Sequence, residues 1–376
     1  MTTIAFCLLT YRPDHPSGIE RSIAALTIGL RQLGHTVLIL TSSPAASGPS
    51  ADAEASEDPD LIRLTSVRLP QPAHNDDVLA ALADPGPVVA EVRAILADRA
   101  VDIACWGAPV WGLGYLDPAP PGVRTALMAH NEIRPRSADT WRLALQAADV
   151  VLPASPYLVE AATRAGWDSS AWRVVPNAVL VRPDPVGYDE RERLRCHGPL
   201  RTVSRAVADK GHPELLEALP DTWRRPVELV LARADFEFVR GEAEEALAAC
   251  RRQQQRRPDV VRLLPALPWA RVPSFFAEAA VTVICSTSPE TFSHTAAEAL
   301  SAGTPLITYD LGYVPTLAGP AGRAVPVEAG FPALWEELAA LLGDHDAYHA
   351  ASAAAPARID PHTPLKAAQA FLTATA

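Results

Sequence analysis

The sequence predicts an α/β protein made of two successive parallel-sheet units. Three observations carry that prediction. Short apolar runs alternate with helical patterns along most of the chain, the pattern of parallel strands joined by covering helices. The alternation breaks near residues 180–198, where Pro183, Pro185 and Gly187 stand among mixed charges, and then restarts. At 376 residues, each half has enough chain to bury its own core. The expected organisation is an N-terminal unit over 1–182, a linker over 183–198, a C-terminal unit over 199–360 and a last helix over 361–376, placed to pack back on the first unit.

The elements follow in order. Ile4–Leu9 reads as a strand, followed by a loop with Pro13, Pro16 and Gly18. Ile19, Ile23, Leu26, Leu30 and Leu33 then recur at helical spacing, an amphipathic helix closed by Gly34. Val37–Leu40 is the next strand, and residues 42–60, rich in Ala, Ser, Pro and acids, read as a flexible surface loop. Further strands are expected at 61–68, 102–106, 123–128 and 149–153, with helices near 87–98, 138–147 and 155–165. In the second half, strands are expected near 200–204, 227–232, 260–264, 280–285 and 305–308. Helices are expected near 213–219, 240–256, 269–278 and 293–302, with three more before the C-terminus.

Composition narrows the function classes. Hydrophobic content of 48% and charged content of 20% suit a soluble globular protein. A net charge of −11 argues against a nucleic-acid partner, which would need a basic patch strong enough to overcome that field. No apolar run is long enough to span a membrane. The run Ile4–Leu9 is too short for a signal peptide and no basic segment precedes it. The five cysteines lack metal or disulfide spacing and read as reduced thiols of a cytoplasmic protein. Cys7, Cys105 and Cys285 lie in apolar strands and are expected in the core. The composition leaves a homodimer open.

The most specific motif is SPETFSHTAAEALSAGTPL, with Glu290 and Glu298 separated by seven residues. A buried strand, Ala280–Cys285, leads into it, and a small-residue helix ended by Gly303 and Pro305 follows. Glu290 therefore falls in the loop and Glu298 inside the helix. The start of that helix offers unpaired N–H groups and the positive end of a dipole, a ready phosphate site. A carboxylate on either side of a bound diphosphate suits hydroxyl groups of a ribose and a sugar. Glu290, Phe292, Glu298, Ala299, Gly303 and Pro305 together resemble the Glu-x7-Glu motif of the retaining family-4 glycosyltransferases. That resemblance implies the GT-B fold, two Rossmann-like domains whose parallel sheets face across a cleft.

The resemblance extends along nearly the whole chain. Arg205, Lys210 and Gly211 match a Gly-Arg, spacer, Lys-Gly pattern whose two cations hold the donor diphosphate. Fixed cations there would lower the barrier to departure of a nucleoside diphosphate. Gly18 matches one glycine of a Gly-Gly pair, with Ser17 in place of the other; Glu20 and Arg21, just inside the helix, are expected on the acceptor side with Asn131. His130 matches a histidine that contacts the donor sugar, whereas His15 reads as an ordinary loop histidine. Pro176, Asn177 and Val179 match a Pro-Asn-Gly-Val segment that orders the route to the linker, with Ala178 for the glycine.

Several family glycines are replaced. Ser293 follows Phe292, Ala232-Arg233-Ala234 occupies a glycine-rich turn, Pro265 stands for Gly, and Tyr313 and Thr316 stand for Gly and Glu. Each lost glycine adds a side chain near the nucleotide or sugar, which the resemblance connects with an unusual donor. Two Asp-x-Asp strings, Asp58-Pro59-Asp60 and Asp344-His345-Asp346, lie outside the motif region and read as coincidental; no metal-binding residue is assigned.

The resemblance thus implies a cytoplasmic, metal-independent, retaining enzyme moving a sugar from a nucleotide-diphosphate sugar to a small soluble acceptor. No cofactor is implied, and UDP or GDP is favoured over ADP or dTDP. In catalysis, Arg205 and Lys210 would stabilise the leaving diphosphate, and Glu290 and His130 would contact the sugar. In donor binding they are joined by Gly18, Glu298 on the ribose, and the backbone of Phe292, Ser293 and His294. A lipid acceptor is disfavoured because the first helix carries only Arg21 and Arg31 as basic residues. The Pro- and Ala-rich composition associates with specialised-metabolite, thiol-conjugate or sugar-conjugate chemistry. Two other readings share the fold: a sugar-nucleotide epimerase, and an inactive nucleotide-sugar-binding protein.

Overall fold

The computed structural model describes all residues except 16, 46–57, 59, 110, 111 and 185, and the side chain at 136. The first half contains β1 (Thr3–Leu8), α1 (Gly18–Gln32), β2 (Thr36–Pro44), β3 (Leu61–Leu69) and β4 (Ala73–His74). It continues with α2 (Asn75–Ala81), α3 (Gly86–Asp98), β5 (Ile103–Trp106) and β6 (Arg124–Ala129). It closes with α4 (Ala138–Ala147), β7 (Val150–Pro153) and α5 (Pro156–Arg164). The second half begins with α6 (Tyr188–His197), β8 (Leu200–Arg205), α7 (His212–Glu217), β9 (Val227–Ala232) and β10 (Phe236–Glu237). Then come α8 (Glu242–Arg256), β11 (Val261–Leu264), α9 (Val272–Ala277), β12 (Val281–Ile284) and α10 (His294–Ser301). The chain ends with β13 (Leu306–Tyr309), α11 (Val314–Ala318), β14 (Gly322–Val325), α12 (Gly330–Gly343), α13 (His345–Arg358) and α14 (Pro364–Thr375).

Two six-stranded parallel sheets result, ordered β3-β2-β1-β5-β6-β7 and β11-β9-β8-β12-β13-β14. In each, the chain reverses direction of growth beside its first strand, between β1 and β5 and between β8 and β12. Open α/β sheets bind ligands outside the carboxyl ends of the strands at such switch points. The central strands are apolar on both faces because helices cover both sides. This architecture is the GT-B fold.

Some elements depart from the sequence reading. Residues 188–197, placed in the linker, form α6. Strand β2 runs past Leu40 to Pro44. The region expected as one helix over 269–278 opens with a short 3-10 turn before α9. The two-residue strands β4 and β10, α2, the short α11 and edge strand β14 were not foreseen. The expected flexible loop over 42–60 lies largely outside the described residues, as do Pro16, Pro59 and Pro185.

The helix α14 crosses back to the first half, where Phe371 packs against Phe6 at 5.6 Å between ring centroids. The halves also meet through a small parallel ladder, β4 on β10, with Ala73 opposite Phe236 and His74 opposite Glu237. Among the described residues no helix is long and apolar enough to cross a membrane.

Candidate functional site

Glu290 sits in the loop between β12 and α10. Its Oε1 accepts from Lys210 Nζ at 2.5 Å and from Ser286 Oγ at 2.5 Å. Burial pushes its carboxyl upward, but Lys210, Ser286 and Arg205 together outweigh burial, so the group lies below the usual glutamate range. The backbone of Glu290 is pinned as well. Its carbonyl accepts from Tyr313 N–H at 2.7 Å, and the chain passes so close to Gly312 that a Cβ there would stand 2.5 Å from Glu290 N.

Lys210 arrives by a tight route. It ends the short turn Ala208–Lys210 after β8, and Gly211, at φ +68°, redirects the chain into α7. A Cβ on Gly211 would run into the carbonyl of Cys285, so both conformation and space demand glycine. Arg205 ends β8 on the same side. It is half-buried, and its guanidinium makes no hydrogen bond or ion pair with any described residue. A bonded lysine and an uncommitted arginine thus lie at the switch point between β8 and β12.

The helix α10 points its N-terminus at this place. Ser293 caps it, accepting from Ala296 N–H at 3.3 Å, and does so at φ +70°, where a glycine would be relaxed. The Phe292 ring is buried with Ile284, Ala296 and Leu300, so only its backbone can serve a ligand. His294 faces the other half, with Nε2 2.8 Å from Ser22 Oγ and its ring against Gly18. Glu298 forms a fully buried ion pair with Arg21 of α1 across the cleft. Its Oε1 is engaged and its Oε2 has no partner. Burial raises the Glu298 carboxyl, and Arg21 only partly offsets this.

The facing half supplies His130 and the first turn of α1. His130 follows β6, is 7% exposed, and burial lowers it to about 4, so the ring is neutral near pH 7. Its carbonyl accepts from Thr291 Oγ1 at 2.7 Å, while its Nε2 has no partner. Asn131, next along, is exposed. Glu20 is buried but turned away from α10. It accepts from Thr10 Oγ1 and Arg12 N–H, both at 2.8 Å, and burial pushes it up to about 7. It braces the β1–α1 loop, whose Thr10, Tyr11 and Arg12 line a pocket with Ser42, Ser43 and Arg63.

The sequence-selected residues therefore divide into two groups. Arg205, Lys210, Glu290, Ser293, His294, Glu298, Gly18, Arg21 and His130 converge where the switch points face each other. Glu20 backs a separate pocket, Asn131 stays at the rim, and Arg21, expected towards an acceptor, reaches Glu298 instead. Sequence reading missed Ser22, Ser155, Ser286 and Thr291, which tie the motif loop to its surroundings; Ser155 Oγ donates to Thr291 O at 2.6 Å. It also missed cross-cleft contacts of the β1–α1 loop. Arg12 and His15 meet Asp235 at 3.1 and 3.2 Å, and Trp269 donates to Asp14 Oδ1 and His15 O, both at 2.7 Å. Except for Ser286, whose partner Glu290 is four positions on, no local pattern marks such residues, because their partners lie more than a hundred positions away. Of the replaced glycines, Arg233 pairs with Glu244 on the surface and Tyr313 stacks on Phe292. Asp58 and Asp60 are held by Arg31, away from the cleft.

Cations at a helix N-terminus, flanked by two carboxylates and a neutral imidazole, can hold an anion and orient hydroxyl groups beside it. With the GT-B fold, that arrangement defines a sugar-transferring enzyme. Residues 200–358 match the family of glycosyl transferases group 1, and residues 16–181 match glycosyltransferase family 4. The chain is a GT-B glycosyltransferase of this group 1/family 4 type. No curated protein sequence matches it. Among solved structures, Anabaena HepE in complex with UDP and glucose is similar at TM-score 0.75 and 18% identity, over 99% of each chain. Sucrose-phosphate synthase from Thermosynechococcus elongatus is similar at 0.76 and 18%, again over 99% of each chain. A pneumococcal O-GlcNAc transferase in complex with UDP and GlcNAc is similar at 0.71 and 14%, over 100% of this chain and 98% of the other. At these identities the likeness is one of fold.

Proposed function

We propose that the chain is a retaining, metal-independent glycosyltransferase using a nucleotide-diphosphate sugar, with UDP the favoured nucleotide and a small soluble acceptor. The observation that carries this reading is the pairing of Lys210 with Glu290 beside the uncommitted Arg205, at the N-terminus of α10. Similar folds holding UDP support the choice of nucleotide.

In this reading Arg205 and Lys210 receive the charge that builds on the leaving diphosphate, in place of a metal ion. Backbone N–H groups at Ser293 and His294 add the helix-end contribution. The free Oε2 of Glu298 takes a ribose hydroxyl, and Arg21 holds Glu298 in place. Glu290 and the open Nε2 of His130 take hydroxyls of the transferred sugar. Glu290 is committed to Lys210 and Ser286, which makes it a poor covalent nucleophile. The acceptor hydroxyl therefore attacks the anomeric carbon on the face the diphosphate leaves. The carbon–oxygen bond to phosphate breaks, and a phosphate oxygen takes the acceptor proton. The acceptor approaches along the N-terminal face of the cleft, where Glu20 braces the β1–α1 loop and Asn131 is exposed. Four of the five free cysteines are buried, which fits a cytoplasmic thiol state.

Calorimetric titration with UDP, GDP, ADP and dTDP tests the donor site. UDP is expected to bind best. Arg205→Ala should weaken it at least ten-fold with little change in thermal stability, because no hydrogen bond or ion pair with a described residue is lost. Lys210→Ala should cut turnover by orders of magnitude. EDTA should leave the transfer rate unaltered. Failure of every nucleotide to bind, or unchanged binding in both variants, would remove the donor site from this loop. Release of diphosphate that needs no acceptor would point to the epimerase reaction instead.

A further inference from the structure

We propose a second, separate site: a divalent transition-metal site formed by Glu192, His345 and His349, which staples α6 to α13. His345 and His349 lie one helical turn apart on α13, so their rings share a face. Glu192 projects from α6 toward them. One ligand atom from each of the three lies within 4.8 Å of the others. Glu192 Oε2 is 2.9 Å from His349 Nε2 and 3.9 Å from His345 Nε2. Metal–ligand bonds of about 2.0–2.2 Å at tetrahedral angles put neighbouring ligand atoms about 3.3–3.5 Å apart. The two Glu192 distances straddle that value and the third lies within 4.8 Å, so an ion is reached by side-chain shifts of about half an ångström or more.

The surroundings are those of a ligating set. His345 Nδ1 meets Asp346 Oδ1 at 2.8 Å, which places the proton on Nδ1 and leaves Nε2 as the ligand atom. Arg195 grips both oxygens of Glu192, Nε on Oε2 and Nη2 on Oε1, each at 2.7 Å, and also donates to Leu342 O; this fixes the carboxylate with Oε2 shared between Arg195 and His349. Tyr188 stacks on His349 at 4.2 Å, and its hydroxyl stands 3.0 Å from His345 Nε2, within reach of a fourth position. Two imidazoles with oxygen donors suit zinc, nickel or copper better than magnesium or calcium. The nearby Arg195 charge weakens the site relative to one built of thiolates. Position gives the site a purpose. Here α6 is the first helix after the chain leaves the N-terminal half, and α13 packs behind α10, where Ser352 Oγ donates to Gly303 O at 2.6 Å. An ion here would fix the support of the Glu298 helix without touching the transfer cleft.

The test is calorimetric titration of the EDTA-stripped full chain with zinc chloride, together with the absorption spectrum of the cobalt(II) form. One equivalent should bind and should raise the melting temperature. His345→Ala, whose ring is 48% exposed and carries no core packing, should weaken binding at least ten-fold, as should His349→Ala. His197→Ala, at the exposed end of α6, should bind like the wild type. The cobalt form should show the strong visible bands of four-coordination. Absence of stoichiometric zinc binding, or equal binding by wild type and both α13 variants, overturns the site. Neither result bears on glycosyl transfer, which is read separately through nucleotide binding.

Discussion

Glu290 and Glu298 carry the same side chain in opposite electrostatic settings. Glu290 is held ionised by Lys210, whereas burial raises Glu298 despite Arg21. With Glu298 on the ribose, Glu298→Gln should weaken free nucleotide. Glu290→Gln should spare free-nucleotide affinity and slow the reaction with full donor. Charge-assisted hydrogen bonds contribute roughly 1.5–3 kcal/mol each, or about 10- to 150-fold. Titration with nucleotide alone separates the variants; equal losses in both would refute the division. Glu20 gives a second residue-scale prediction. Burial raises it from 4.5 to about 7, so between those values the folded chain holds a proton that the unfolded chain has released. Stability attributable to Glu20 therefore falls as pH rises through that window, by up to roughly 3 kcal/mol. His130, depressed to about 4, works in the opposite sense, losing stability as pH falls below 6.5. The two slopes overlap, so the wild-type profile hides both. Glu20→Gln should lose its share, gaining stability over wild type at pH 8 relative to pH 5 in urea unfolding. Parallel profiles for the two proteins would refute the buried-acid assignment.

At the scale of elements, Ser293 is where the local rule and the fold disagree. It caps α10 usefully, yet holds a left-handed backbone that costs a non-glycine residue about 1–2 kcal/mol. Ser293→Gly relieves that strain and forfeits only a few tenths as a cap. It should stabilise by about 1 kcal/mol, whereas Ser293→Ala should destabilise by a similar amount. Denaturant midpoints check both, and a destabilised glycine variant would mean that the cap outweighs the backbone. The strands and major helices were legible because apolar periodicity is strong where both faces are buried. The helix α6 was not, because it buries only Arg191 and Leu194 and is held by ion pairs such as Glu190–Arg193 and Glu192–Arg195. Strands β4 and β10 were invisible because each is two residues long and finds its partner in the other half. In the site, residue types and loop placement were legible from the motif. The pairing of Lys210 with Glu290 and of Arg21 with Glu298 was not, since each joins segments far apart in sequence.

At the scale of the whole molecule, the first half is completed by the last helix. Gly29 of α1 lies so close to Pro364 that a Cβ there would collide with its carbonyl. Phe371 is fully buried against Phe6, and Arg124 Nη1 donates to Ala376 O at 2.6 Å. The N-terminal sheet therefore closes its core only with α14 in place, whereas the C-terminal sheet buries its own. Phe371→Ala should cost about 3–5 kcal/mol, the range for truncating a buried aromatic. That cost should fall on one half only. Amide exchange in β1, α1 and α14 should accelerate strongly, while β8, β9 and α8 keep their protection, because local opening follows the cooperative unit that lost its packing. Nucleotide affinity should fall less than stability, since Arg205, Lys210 and the α10 N-terminus belong to the unaffected half. Uniform loss of protection across both sheets would instead show that the cross-cleft contacts at Asp235, Trp269 and the β4–β10 ladder bind the halves into one unfolding unit.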